Sequence, residues 1–198
     1  MFVIDRTFQR AYFRMLRKKI GIKEQKISSL KISDKIFNCK LLCSCKNVAV
    51  FISFDGEIDT SQLISELWKK KYNVFLPIID SIFNKTLFFS QYFPNTRLQL
   101  NKFNIFEPII RKEVVVSCQE MDVIMVPLVA FDIFGYRLGM GGGFYDKILN
   151  SYKNKFFPVG LAYDFQLVNK IIPKPWEIPL PAVFTPNKLW KWNFNNFK

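Results

Sequence analysis

The sequence predicts an α/β fold in a single domain spanning residues 1–198, on three observations. The chain has 198 residues, 49% of them hydrophobic, enough for one sizeable core and short for two. Residues 48–54 read VAVFISF, a continuous apolar run rich in β-formers, which suits a strand covered on both faces. After it come a turn signal at Asp55-Gly56, an amphipathic helical pattern and a second short apolar run. Together they make a β–α–β unit, which argues for a parallel sheet with right-handed crossovers.

Taken in order, residues 10–19 predict a helix with Tyr12 and Leu16 apolar and Arg10, Arg14 and Arg17 along one side. Arg10 and Arg14 stand four apart and share a face; these residues alone read as a solvated face, with a pair of phosphate clamps as the sharper alternative. After the strand at 48–54 and Glu57, either Asp59 or Thr60 can cap the next helix. There Leu63, Ile64, Leu67 and Trp68 fall on one side, and Lys69, Lys70 and Lys71 close it against the macrodipole. Strands are predicted at 74–79 and 87–93. Residues 94–108 predict a long loop carrying Phe103, Phe106 and Glu107, and loops of that length are often functional. A buried strand at 122–127 and a tight turn at 132–135 lead to a glycine-rich ribbon, a helix at 144–152 and strands at 158–162 and 183–185. No internal repeat or low-complexity linker interrupts this order.

Composition narrows the function classes. The net charge of +13 fits either a nucleic-acid surface or a drift towards Lys, Asn, Ile and Phe that scatters lysines without purpose. The basic residues are spread along the chain, which favours drift. The longest nearly unbroken apolar run, 123–131, is too short to span a bilayer, and the start MFVIDRTFQR lacks the order of a signal peptide. A cytoplasmic protein with no membrane partner is expected. The cysteines at 39, 43, 45 and 118 form no C-x-x-C pair and there is no histidine, so reduced, structural thiols are expected rather than zinc. The lack of histidine also excludes Ser-His and Cys-His nucleophile pairs within this chain. Phosphoryl transfer, which rests on positioning and electrostatics, needs neither.

Residues 137–147 read RLGMGGGFYDK and hold four of the chain's eight glycines. Bare backbone before a helix lets amide N–H groups converge on an anion; it also suits a plain tight turn. Neither the Walker pattern nor G-x-G-x-x-G is present, since no Gly-Lys pair occurs and position 144 is Phe144. Asp146, early in the helix, is placed to hold Mg²⁺ against phosphates, and Arg137 offers a planar fork for phosphate oxygens. The three features together favour the cradle.

The stretch VPLVAFDIFGYRLGMGGGFYD at 126–146 closely resembles the signature of the 5-formyltetrahydrofolate cyclo-ligase (5,10-methenyltetrahydrofolate synthetase) family. AVFISFDGEIDT at 49–60, PVGLAY at 158–163 and WEIPLPAV at 176–183 also resemble family segments, so the similarity runs from about residue 10 to 192. The resemblance implies a three-layer α/β/α sandwich with a mainly parallel central sheet. It implies ATP- and Mg²⁺-dependent closure of 5-formyltetrahydrofolate to 5,10-methenyltetrahydrofolate, through a phosphorylated formyl group. By position, Arg137 and Gly139, Met140, Gly141, Gly142, Gly143, Phe144 and Tyr145 would hold the ATP phosphates, with Arg10 and Arg14 as further ATP contacts. Asp146 and Glu177 would bind the metal; Glu177 stands where relatives carry Asp, and Arg10 where many carry Lys. Ile52, Glu57, Phe103 and Tyr145 would contact the folate, with Tyr145 between the two substrates. The resemblance implies catalytic roles for Arg137, Tyr145 and Asp146, no nucleic-acid partner and a monomer. The competing class is a basic nucleic-acid-binding protein on a relict ATP-binding fold, which requires the lysines to converge on one face with exposed aromatics.

Overall fold

The computed structural model describes residues 5–80, 86–109, 115–151 and 155–192. Helix α1 (Arg6–Lys18) begins earlier than the apolar pattern indicated, because the Asp5 carboxylate accepts from the Phe8 amide at 3.4 Å and caps the helix. A second helix, α2 (Ile22–Asn38), was not foreseen. Its buried face is Ser28, Ser29, Ile32, Ser33 and Ile36, so serines stand where an apolar stripe would have marked a helix. The Ser29 hydroxyl is satisfied there by donating to the Asp59 carbonyl at 2.5 Å.

The β–α–β unit forms as expected, but its first strand is shorter. Strand β1 (Asn47–Ala49) runs parallel to β2 (Asn73–Asp80), with α3 (Ser61–Lys69) between them. The Val50 amide still reaches the Phe75 carbonyl at 2.9 Å; beyond it the chain leaves the ladder. Asp59 caps α3, its carboxylate accepting from the Ser61 amide at 2.9 Å, while the Thr60 hydroxyl donates instead to the Phe51 carbonyl at 2.6 Å. At the other end Lys71 adopts φ 64°, with its amide on Trp68 and the Tyr72 amide on Leu67, a Schellman closure built without glycine.

Strand β3 (Thr86–Gln91) returns antiparallel to β2. The predicted loop at 94–108 is a hairpin instead: β4 (Leu98–Leu100) pairs with β5 (Phe106–Pro108). Its strands are too short and exposed to alternate visibly, and its turn is set by the Asn101 side chain, which accepts from the amides of Phe103 and Ile105. The chain continues through β6 (Val115–Val116), β7 (Val123–Pro127), β8 (Ala130–Asp132) and β9 (Arg137–Leu138). Then follow α4 (Phe144–Ser151), β10 (Phe157–Leu161), β11 (Leu167–Val168), β12 (Ala182–Phe184) and β13 (Leu189–Lys191). Residue 152, the predicted end of α4, lies outside the described residues.

These strands form an 8-stranded sheet in the order β13-β12-β10-β7-β1-β2-β3-β6. The central strands β12, β10, β7, β1 and β2 are parallel, and antiparallel strands flank them. Alternate residues of β7 feed two cores: Val123 and Met125 join Leu63, Ile64 and Leu67 of α3 and Ile36 of α2, while Ile124 and Val126 join Ile148 and Leu149 of α4. Helices therefore cover both faces, in three layers. A 3-stranded sheet, β11-β8-β9, lies beside the main one, and Phe13 of α1 packs on its Ala130 and Leu138. From β1 the chain passes through α3 to β2, and from the adjacent β7 through α4 to β10, on opposite faces and in opposite directions. In open α/β sheets the crevice beyond such a reversal is the usual place for a ligand.

Candidate active site

A cavity of about 430 Å³ opens at that reversal. Its wall comes from the segment after β1 (Phe51, Ile52, Phe54, Glu57), the ends of β2 and β7 (Pro77, Ile79, Pro127), the β4–β5 hairpin (Asn101, Phe103, Ile105, Phe106) and the ribbon (Arg137, Gly139, Met140, Gly142, Phe144, Tyr145, Asp146), with Arg14 from α1. The structure thus gathers most of the sequence-predicted residues on one cavity, from segments as far apart in the chain as Arg14 and Asp146. Arg10 joins them from outside the wall, its Nε donating to the Gly139 carbonyl at 2.8 Å. Gly141 lies beside the Arg10 guanidinium. Gly143 and Glu177 do not line the cavity.

The ribbon runs from β9 into α4. Gly141 and Gly143 hold φ values of 105° and 74°, which only glycine adopts without strain. A side chain at Gly142 would meet the Phe144 ring at 2.7 Å. Phe144 in turn packs edge-on to Phe103 of the hairpin, with ring centroids 5.9 Å apart, so ribbon and hairpin close the cavity together.

Arg137 is buried and donates from Nη1 to the Ile178 carbonyl at 3.0 Å and from Nη2 to Asp146 at 2.5 Å. Burial lowers its pKa, while Asp146 and Glu177 oppose that shift; the fork nevertheless keeps its charge, as arginine does in proteins. Glu177 accepts from Arg6, at 2.5 and 3.0 Å, and from the Lys174 amide at 2.9 Å. Burial raises its carboxyl, but the Arg6 and Lys174 bonds outweigh it and hold the pKa below the ordinary value. No group of three or more Asp, Glu, His or Cys side chains among the described residues forms a metal cage. Asp146 is instead ion-paired to Arg137 and Glu177 to Arg6, and both carboxylates act on the charge of Arg137; their oxygens are the donor type a hard cation takes.

In the same cavity the Glu57 side chain is only 9% exposed. Burial pushes its carboxyl up to about 7, against the pull of Arg17 and of the Phe54 amide. Burial, and then the nearby Glu57, also drives the Tyr145 phenol well above its ordinary range, so its hydroxyl keeps its proton. Sequence reasoning missed the Arg17 and Asp55 pair behind Glu57, the Arg6 partner of Glu177 and the apolar wall from β2. Asp55 had only its turn signal, and Arg6 sat in a segment not assigned to a helix.

The model of the 5-formyltetrahydrofolate cyclo-ligase family matches residues 5–186. The chain is similar to the 5-formyltetrahydrofolate cyclo-ligase of Escherichia coli (strain K12), at 41% identity over 180 residues, covering 90% of this chain and 99% of that protein. It is 40% identical over 172 residues to the enzyme of that name from Haemophilus influenzae, covering 86% and 92%. The solved structure of Aquifex aeolicus 5,10-methenyltetrahydrofolate synthetase superposes with a TM-score of 0.80 at 28% identity, covering 94% of this chain and 92% of that one. A synthetase from Mycoplasma pneumoniae shares the fold, with a TM-score of 0.73 at 21% identity over 92% of this chain and 99% of that one. The mixed α/β fold with its large, mainly parallel sheet is therefore common to them. The chain is a ligase and belongs to the 5-formyltetrahydrofolate cyclo-ligase family.

Proposed function

We propose that this enzyme closes 5-formyltetrahydrofolate to 5,10-methenyltetrahydrofolate at the expense of ATP, releasing ADP and phosphate. The observation that carries this reading is the lining of one cavity, which joins a glycine ribbon and arginine fork to apolar and aromatic side chains and a single buried acid. The ribbon and fork suit the phosphates, and the apolar and aromatic side chains suit a flat, polar-edged ring.

In this reading the formyl oxygen bonds to the γ-phosphorus as the bond to ADP breaks. The N10 lone pair then adds to the formyl carbon, the N10 proton passes to the departing phosphate, and the carbon–oxygen bond breaks as phosphate leaves with the former formyl oxygen. Arg137, Arg10, Arg14 and the ribbon amides of residues 139–145 hold the phosphate oxygens in line with that attack. Asp146, with Glu177, would hold Mg²⁺, which when bound neutralises phosphate charge. Phe103 and Ile52 sandwich the folate ring, and Glu57 accepts from the N–H donors on its edge. The protonated Tyr145 hydroxyl, within reach of the charges of both Glu57 and Arg137, is the donor to the transferring oxygen. Phe144 and Met140 close over the site and keep water from the phosphorylated intermediate.

The test is incubation with 5-formyltetrahydrofolate, ATP and Mg²⁺, following the near-ultraviolet absorbance of the methenyl product. Product should form only when ATP is present. Folded protein that makes none across neutral and mildly acidic pH would refute the reading.

A further inference from the structure

Behind the cavity wall lies a charged side chain that no part of the reaction above uses. Arg17 of α1 has a side chain with 0% exposure. An arginine without water is costly unless its fork is filled, and here the partners come from three separate segments. Nη1 donates to the Leu128 carbonyl just after β7, at 3.3 Å, and lies 3.8 Å from the Glu57 carboxylate. Nη2 donates to Asp55 at 3.1 Å and reaches the Met140 sulfur of the ribbon at 4.0 Å. The Nε is buried with no partner.

The backbone of the same residue shapes the turn that carries Glu57. Asp55 and Gly56 adopt φ values of 50° and 74°. A Cβ at Gly56 would stand 3.0 Å from the Arg17 backbone and its own Cβ, so the turn lies directly on α1. Arg14 at 2.5 Å and Lys18 at 3.1 Å also grip Asp55, which keeps its charge neutralised whatever Arg17 does. Glu57 has no such reserve. The ion pair to Arg17 is the one it makes among the described residues, and otherwise its carboxylate accepts from the Phe54 amide at 3.2 Å.

We propose that Arg17 is a positioning residue for the folate half of the site: its buried fork ties the Asp55–Glu57 turn to Leu128 and so fixes where the Glu57 carboxylate meets the substrate ring. This rests on the folate reading of Glu57 given above. The role needs the fork and not the charge alone, because Nη1 and Nη2 face different segments.

Arg17→Met and Arg17→Lys, each alone and combined with Glu57→Gln, separate positioning from mere structure. Kinetics with each substrate varied, and calorimetric Kd values for 5-formyltetrahydrofolate, provide the readout. Arg17→Met should raise KM and Kd for the folate about tenfold or more, the scale of one lost charged hydrogen bond, and move KM for ATP much less. In the Glu57→Gln background the same substitution should add less than about twofold, since the group it positions is gone. Additive effects, or equal changes in both KM values, would overturn the proposal. If the methionine variant does not fold, Arg17→Lys carries the test. It keeps a cation but loses the fork, and a folded lysine variant with wild-type folate affinity would also overturn it. Wild-type turnover measured alongside tests the cyclo-ligase reading separately. If that turnover is absent, the Kd values still report on Arg17.

Discussion

Glu57 brings the cavity's electrostatics down to one proton. An ordinary glutamate titrates near 4.5, and burial raises this one to about 7, with Arg17 pulling down and Asp55 pushing up. Tyr145 and Tyr163 face it from α4 and from the end of β10, and neither compensates its charge. A carboxyl that holds its proton more tightly when folded takes up a proton on folding between those two values, so its contribution to stability falls as pH rises through that window. Glu57→Gln lacks that loss, and its Tm relative to wild type should therefore climb from about pH 5 to about pH 8. The kcat/KM for the folate, which reports the free enzyme, should show an acid limb near pH 7 that the glutamine variant lacks. A wild-type profile flat across that range would contradict the placement of Glu57 at the substrate.

Asp146 makes a second prediction at this scale. Asp146→Asn should cut turnover by about a hundredfold or more, as loss of a group that stabilises developing charge does, while circular dichroism stays native and Tm falls, because the amide still accepts from Arg137 but no longer neutralises it. Wild-type rate at limiting Mg²⁺ would remove Asp146 from the metal role. Arg137, the glycines and Asp146 were legible in the sequence because they lie within ten residues of one another. The Arg17–Asp55 pair behind Glu57 was not, since a contact across 38 residues leaves no local pattern. A buried arginine also looks like any surface arginine until its neighbours are known.

Elements were legible where one apolar face met a regular period. The α3 helix has Leu63, Ile64 and Leu67 buried on one side, and its pattern showed plainly. Leu67 is fully buried against the main sheet, and Leu67→Ala should cost about 2–5 kcal/mol in denaturant unfolding, while an exposed lysine of the same helix replaced by alanine should cost little. By contrast, α2 buries three serines and exposes Ile22, Ile27 and Leu30, so its period is inverted and reads as no element at all. Strand β1 was overcalled for the opposite reason. Phe51, Ile52 and Phe54 are apolar because they line the cavity, not because they continue the ladder. The β4–β5 hairpin hid behind strands of three residues each, yet its tip supplies Phe103 to the site.

For the molecule as a whole, the site follows from topology. The chain leaves β1 and β7 in opposite directions, and the cavity beyond them gathers the segment after β1, the ends of β2 and β7, the ribbon after β9, the hairpin and Arg14 of α1. The charge of +13 plays no part in that construction: the arginines that matter are paired within the fold, and most lysines lie elsewhere on the surface. Among the described residues no helix is long and apolar enough to cross a membrane. In the proposed reaction one cavity brings the formyl oxygen of the folate in line with the γ-phosphate of ATP. Substrate carrying heavy-isotope oxygen in its formyl group, turned over with ATP in ordinary water, reports on that transfer. The heavy oxygen should appear in the released inorganic phosphate, one atom per methenyl product. Product formed with the label in water, and none in phosphate, would contradict the proposed reaction.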